Sequence, residues 1–188
     1  MARKALARTA LALLATVLAS APAFANCTDD TCLSIQKIIA ARANNFAAFK
    51  GKPGVDPRGD SLWEGNQTIP GLIDYCYVYA RGESTHYEYD CDASGLGSKA
   101  FVPLEKARRI AESLKTAFQT ADPKLIWFVD PNAMLLASVG GFEGTQAWYG
   151  GYSKDKLTVK VEVLGSESSD TTVGVKIFAK PLKKRDVK

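Results

Sequence analysis

The chain has 188 residues with 24 basic and 20 acidic side chains, which gives a formal net charge of +4. Three of the basic residues lie in the first 25 positions and five lie in residues 180–188, so residues 26–179 carry 16 basic against 19 acidic side chains. The isoelectric point of about 8.8 therefore reflects the two ends and does not support nucleic-acid binding. One histidine, His86, and four cysteines without a C-x-x-C pair exclude the usual multi-histidine and zinc centres. We predict no metal and no cofactor.

The first 25 residues have the pattern of a secretory signal peptide. Three basic residues precede an apolar run, Leu11–Leu18, and the small-residue cleavage site Ala23-Phe24-Ala25 follows. The apolar run is too short to span a membrane, and polar sequence comes after it. We predict a secreted or periplasmic bacterial protein with a single domain over residues 26–180 and a solvated basic tail over residues 181–188.

All four cysteines lie in the part of the chain that is predicted to be exported, and an oxidising compartment favours disulfides there. We predict that Cys76 pairs with Cys91. Cys27 and Cys32 lie five positions apart and could close a small loop at the start of a helix. Since four cysteines allow three pairings, the alternative is two crosslinks that tie the N-terminal segment to the segment around Cys76 and Cys91.

Residues 32–50 have apolar side chains at helical spacing, which predicts an amphipathic helix that ends at Gly51 and Pro53. Residues 51–71 are rich in glycine, proline, aspartate and asparagine. We interpret them as a loop with room for one short strand.

The segment from Leu72 to Asp92 is predicted to fold into a β-hairpin. Tyrosines alternate with smaller residues before Gly82, which permits a tight turn, and a similar alternation follows it. A register that pairs Cys76 with Cys91 collects the apolar residues on one face, and a slip of one residue would mix the two faces. The other face then carries Tyr75, Tyr77, Tyr79, His86, Glu88 and Asp90.

The second half of the chain begins with a second amphipathic helix, which Pro103 is predicted to open and which ends before Asp122. Residues 125–129 are interpreted as a buried strand, and residues 130–139 as a further strand in preference to a short helix. The glycines of residues 140–151 predict a flexible segment.

Two alternating segments, Leu157–Val163 and Val173–Ala179, predict a final hairpin with one face exposed to water. The order of the elements predicts an α+β fold. It consists of an antiparallel β-sheet with two amphipathic helices packed on one face, crosslinked by disulfides.

Aromatic and acidic side chains are the candidate binding residues, because tyrosine and tryptophan supply large contact areas at low entropic cost. Charged groups are rarely buried without partners, so the acids opposite Tyr77 and Tyr79 predict that these two rings are partly exposed. The alternative is that the tyrosine row lies beneath a helix. The candidates are Tyr77, Tyr79, Glu88, Asp90, Trp148 and Tyr149.

Two functions are compatible with these residues. The first is an exported non-enzymatic binding protein, for example of the inhibitor or immunity type, whose partner is another protein or a glycan. The second is a small periplasmic hydrolase that acts on glycans or the cell wall. It would use carboxylates such as Glu88, Asp90 and Asp92, one of which raises the pKa of another.

Overall fold

The computed structural model of the chain describes residues 27–82, 86–93, 102–130, 133, 145–165 and 171–182. The predicted signal peptide, residues 1–25, and residues 183–188 of the predicted tail lie outside the described residues. The predicted strand over residues 130–139 also lies outside them, except for Asp130 and Ala133, and the strand interpretation is wrong at Ala133, which is helical.

An antiparallel sheet of eight strands forms most of the described structure, in the order β1-β2-β3-β4-β8-β7-β6-β5. The last strand in sequence, β8, lies between β4 and β7 and joins the two halves of the sheet. With the two α-helices and two disulfides that its described residues form, the chain is an α+β protein, as predicted. The strands are β1 Lys50–Val55, β2 Ser61–Gly65, β3 Tyr75–Arg81, β4 His86–Asp92, β5 Ile126–Val129, β6 Gln146–Gly151, β7 Leu157–Leu164 and β8 Thr172–Leu182.

The first helix, α1, spans Asp30–Ala41 and is shorter than predicted. It begins where the Asp29 carboxylate accepts a hydrogen bond of 2.8 Å from the backbone N–H of Cys32. It ends early because Asn45 and Phe46 adopt positive φ angles of 55° and 57°, which an α-helix does not allow. Two short 3-10 turns follow, and they bring the buried ring of Phe46 to 5.5 Å from the ring of Tyr89.

The second helix, α2, spans Leu104–Ala121, and both ends agree with the prediction. Its buried residues recur at helical spacing and contact β7 and β8, while α1 contacts α2 and β8. The main core therefore lies between the helices and this part of the sheet. The predicted packing of two helices on one face is confirmed only in part, because the sheet is much larger than the area that the helices contact.

The central hairpin has the predicted register. Cys76 pairs with Cys91 across β3 and β4, with their Cα atoms 4.0 Å apart, and the two form a disulfide. The second disulfide joins Cys27 to Cys32 at the start of α1. The alternative pairing, in which the N-terminal segment is tied to the hairpin, is therefore wrong.

The predicted loop over residues 51–71 contains most of β1 and all of β2. The composition of this segment did not indicate β1, because the strand lies at one edge of the sheet, is almost fully exposed and therefore has few apolar residues. An edge strand pairs on one side only, so it tolerates Pro53 and the glycines around it.

The strand predicted to be buried, β5, forms the other edge of the sheet. Leu125 is buried just before it, but Ile126 and Val129 are 53% and 63% exposed. The segment predicted to be flexible includes β6, in which Gly150 packs too closely for a side chain. A Cβ atom at this position would lie 2.6 Å from Val159, so the glycine serves close packing.

The final hairpin, β7–β8, is confirmed, and β8 extends two residues beyond the predicted domain boundary at residue 180. No helix among the described residues is long and apolar enough to cross a membrane.

Candidate functional site

The sheet divides its side chains between two faces, because successive residues of a strand point to opposite sides. Cys76, Val78, Tyr89 and Val175 belong to the core that the helices cover. The residues that alternate with them form the other face, which we call the charged face. Its members include Leu62, Glu64, Tyr75, Tyr77, Tyr79, Arg81, His86, Glu88, Asp90, Asp92, Tyr149, Lys160, Glu162, Lys176 and Phe178. The tyrosine row therefore does not lie beneath α1 or α2.

Arg81, the last residue of β3, organises one end of this face. Its guanidinium donates to Glu88 at 2.7 Å and to Asp56 and Asp60 at 3.1 Å each. It also lies 4.0 Å from the centre of the Tyr79 ring. Partial burial lowers the pKa of Arg81, but the hydrogen bond and charge of Glu88 outweigh it, and the net pKa is raised. Arg81 is thus a fixed cation held by three carboxylates.

A ladder of alternating charges crosses β4, β8 and β7. The Lys176 ammonium lies 3.6 Å from the Asp90 carboxylate and 3.4 Å from Glu162, which also pairs with Lys160 at 2.6 Å. The strand register forms this ladder because Asp90 is opposite Lys176, and Lys176 is opposite Lys160. The sequence analysis missed these two lysines and Glu162, although their alternation with valines placed them on an outward face.

The charge ladder affects its two carboxylates in opposite ways. Burial raises the pKa of Asp90 to about 7, and Glu88, Glu162 and Asp92 raise it too, while Lys176 opposes them. The Asp90 side chain is 17% exposed. For Glu162, burial also favours the neutral form, but Lys176 and Lys160 outweigh it and lower the pKa. Asp90 is therefore the carboxyl of the ladder that titrates near neutral pH.

The three tyrosines of β3 differ in exposure. Tyr75 is 48% exposed and Tyr77 is half-buried, whereas Tyr79 is only 7% exposed. The prediction that Tyr79 is partly exposed is wrong, because Arg81 covers its ring and Leu62 is its neighbour on β2. The prediction holds for Tyr77, whose ring centre lies 6.3 Å from that of Tyr79. Tyr75, at the start of the strand, is the most open ring of the row.

Trp148 and Tyr149, two predicted site residues, lie on opposite faces of β6. Trp148 packs against the main core, with the Lys115 ammonium of α2 4.4 Å from its ring. Tyr149 is buried with Leu157 and Phe178 on the charged face. The structure thus brings Tyr149 together with Tyr77, Tyr79, Glu88 and Asp90 on one face, but it does not bring Trp148 there. The reason is that residues 146–151 of the predicted flexible segment form β6.

A separate groove of about 490 Å³ lies on the helix side of the sheet. It runs between the start of α1, the turn at Pro70–Leu72 and the middle of α2, where hydroxyl side chains such as Thr31 and Thr116 line it. None of the predicted binding residues lies in it.

The described part of the chain contains no group of three or more histidine, cysteine or acidic side chains that could hold a metal ion. No protein-family model, curated protein or solved structure matches the chain.

Proposed function

We propose that the protein is an exported, non-enzymatic binding protein that contacts a partner protein through the charged face. The observation that carries this proposal is the row of tyrosines beside fixed charges on the sheet face opposite the one that α1 and α2 pack against. Tyrosine is enriched among the residues that dominate protein interfaces, because its rigid ring has an apolar body and a polar end. Tyr75 and Tyr77 are the members of the row open enough to contact a partner.

The rigidity of the face supports the proposal. The Cys76–Cys91 disulfide lies in the same pair of strands as the tyrosines, and Arg81 is held by three carboxylates. A side chain that is already fixed loses little entropy when a partner binds. Two disulfides are also consistent with an oxidising compartment such as the periplasm, where an inhibitor or immunity-type protein could act.

The ion pairs of the face favour binding over catalysis. Glu88 accepts a hydrogen bond from Arg81 in an ion pair, and Glu162 is ion-paired with Lys160 and Lys176. Carboxylates held in this way suit recognition of a partner, because electrostatic complementarity provides specificity.

The experiment is capture of a partner from a periplasmic extract, followed by affinity measurement with purified variants. We expect Tyr75→Ala and Tyr77→Ala each to weaken binding by about tenfold or more, as buried interface aromatics do. The control is Leu33→Ala, which removes an exposed apolar side chain from α1, away from the charged face. If all three variants bind equally well, the charged face is not the contact surface.

One observation favours the alternative, a carboxylate-dependent hydrolase of glycans or the cell wall. Asp90, with a pKa of about 7, lies close to Glu162 through their common partner Lys176, and such a carboxyl could act as a general acid. Turnover of a cell-wall or glycan substrate that Asp90→Asn and Glu88→Gln abolish would establish the hydrolase and rule out the binding protein.

A further inference from the structure

We propose that two copies of the chain pair through β5, at one edge of the sheet, so that the two sheets continue into each other. The pairing uses the backbone of β5 and not the row of tyrosines, so it does not depend on the proposed function.

Strand β5, Ile126–Val129, is an apolar edge that is open to solvent. It pairs with β6 on one side, and no strand among the described residues pairs with its other side. Ile126 and Val129 are each more than half exposed, although both side chains are apolar. An edge strand of this kind is a template on which a further strand can pair.

The backbone of β5 offers hydrogen bonds to a further strand at two residues. The N–H of Asp130 donates to the carbonyl of Ala147 at 2.9 Å, next to β5 and within β6. Hydrogen bonding alternates along an antiparallel pair, so Phe128 also bonds to β6. The N–H and C=O groups of Trp127 and Val129 are therefore directed to the open side.

These two residues are complementary to the same two residues of a second copy. If two antiparallel β5 strands meet with Phe128 opposite Phe128, Trp127 of each copy lies opposite Val129 of the other, and four hydrogen bonds form. A register centred on Trp127 would place Val129 opposite Leu125, whose N–H already donates to a backbone carbonyl. The register centred on Phe128 is therefore the better one, and it creates two aromatic–β-branched cross-strand pairs.

Charge and backbone chemistry distinguish β5 from the other edge of the sheet. Strand β1 carries Lys50, Lys52 and Pro53, which keep an edge from pairing because lysines repel their copies and proline has no N–H. Strand β5 has neither charge nor proline, so two copies bring no like charges together. Pairing of β5 with itself also closes after two copies, whereas pairing of β5 with β1 would continue without end.

The length of β5 determines how strong the pairing can be. A strand of four residues buries much less than the roughly 1,200–2,000 Å² of a stable interface. We therefore expect monomer and dimer to exchange, with the dimer appearing as the concentration rises.

The experiment measures the mass of the chain, purified with both disulfides formed, by analytical ultracentrifugation from micromolar to millimolar concentration. We expect the average mass to rise towards that of a dimer. Over the same range, hydrogen exchange should slow at the amides of Trp127 and Val129, whereas the amide of Phe128, already bonded to β6, should not change. This measurement uses the wild-type chain, so it does not depend on the folding of any variant.

The test variant is Val129→Lys, which places a charge on the open edge and should weaken the dimer by about tenfold or more. The matched control is Val55→Lys, the same substitution of an exposed valine on the opposite edge, β1. A chain that stays monomeric at millimolar concentration would overturn the proposal. So would a dimer that both variants weaken equally, or one that forms without slower exchange at Trp127 and Val129.

Discussion

Asp90 connects the chemistry of the charged face to the stability of the whole chain. Its pKa is raised from 3.8 to about 7, mainly by burial, so the folded state holds its proton more tightly than the unfolded state does. Between these two pH values the folded state binds more protons, and the free energy of unfolding contributed by Asp90 falls as the pH rises. The contribution of Asp90 to the free energy of unfolding is therefore most favourable at low pH and is lost as the pH rises through about 7.

We expect Asp90→Asn to be more stable than the wild type at pH 8 by ~2 kcal/mol, since one unit of pKa shift is worth about 1.4 kcal/mol and the loss of the Lys176 ion pair offsets part of the gain. The difference should shrink towards pH 4. Urea unfolding at both pH values measures it. A difference that stays constant with pH would show that Asp90 does not titrate in this range.

The unequal exposure of the tyrosines predicts unequal costs of removing them. Tyr79→Ala should lower the free energy of unfolding by ~3 kcal/mol, because its ring is buried against Arg81 and Leu62. Tyr75→Ala should cost less than about 1 kcal/mol, as surface substitutions do. Chemical unfolding of the two variants tests this. Equal costs would mean that the ring of Tyr79 is not part of a packed core.

At the scale of elements, the two disulfides differ in the loops that they close. The Cys76–Cys91 bridge closes 15 residues and the Cys27–Cys32 bridge closes 5. In the chain-entropy view, removing the first by a double alanine substitution should cost ~3 kcal/mol and removing the second ~2 kcal/mol. Urea unfolding of the two double variants compares them directly. A larger loss from the Cys27–Cys32 pair would contradict the loop-length argument.

The sequence predicted those elements whose pattern is local. The alternation around Cys76 and Cys91 determined the hairpin register, while Pro103 and Asp122 marked the two ends of α2. The sequence did not predict strand β1, because an exposed edge strand has no alternating apolar pattern that would reveal it. The sequence did not predict which sheet face Trp148 lies on, because the glycines near it suggest a flexible segment. In the structure Gly150 instead allows close packing within a strand.

The sequence predicted the residues of the candidate site that lie on the β3–β4 hairpin, but not those that lie on β7 and β8. Tyr77, Glu88 and Asp90 lie on one hairpin, whose two faces follow from alternation. Lys176 and Glu162 come from strands far along the chain, and only the insertion of β8 beside β4 brings them to Asp90. Pairing between distant strands leaves no mark in local sequence patterns, so this half required the structure.

At the scale of the whole molecule, β8 couples the two halves of the sheet. Val175 is fully buried, lying opposite Cys91 of β4 and Val161 of β7. Val175→Ala should lower the free energy of unfolding by ~2 kcal/mol, whereas Val55→Ala on the exposed edge should cost less than about 0.5 kcal/mol. Hydrogen exchange should show that Val175→Ala weakens the protection of β3–β4 and of β6–β7 together. Loss of protection in only one half would mean that the halves unfold independently.

The position of β8 also has a consequence for the order of events during synthesis. Among the strands of the sheet β8 comes last in the sequence, yet its Gly174 pairs with Asp92, about 80 residues earlier in the chain. Both disulfides lie within the first 91 residues, so oxidation can be complete while β4 is still an open edge. Because pairing between distant strands forms slowly, we expect β4 to keep an open edge until β8 docks against it.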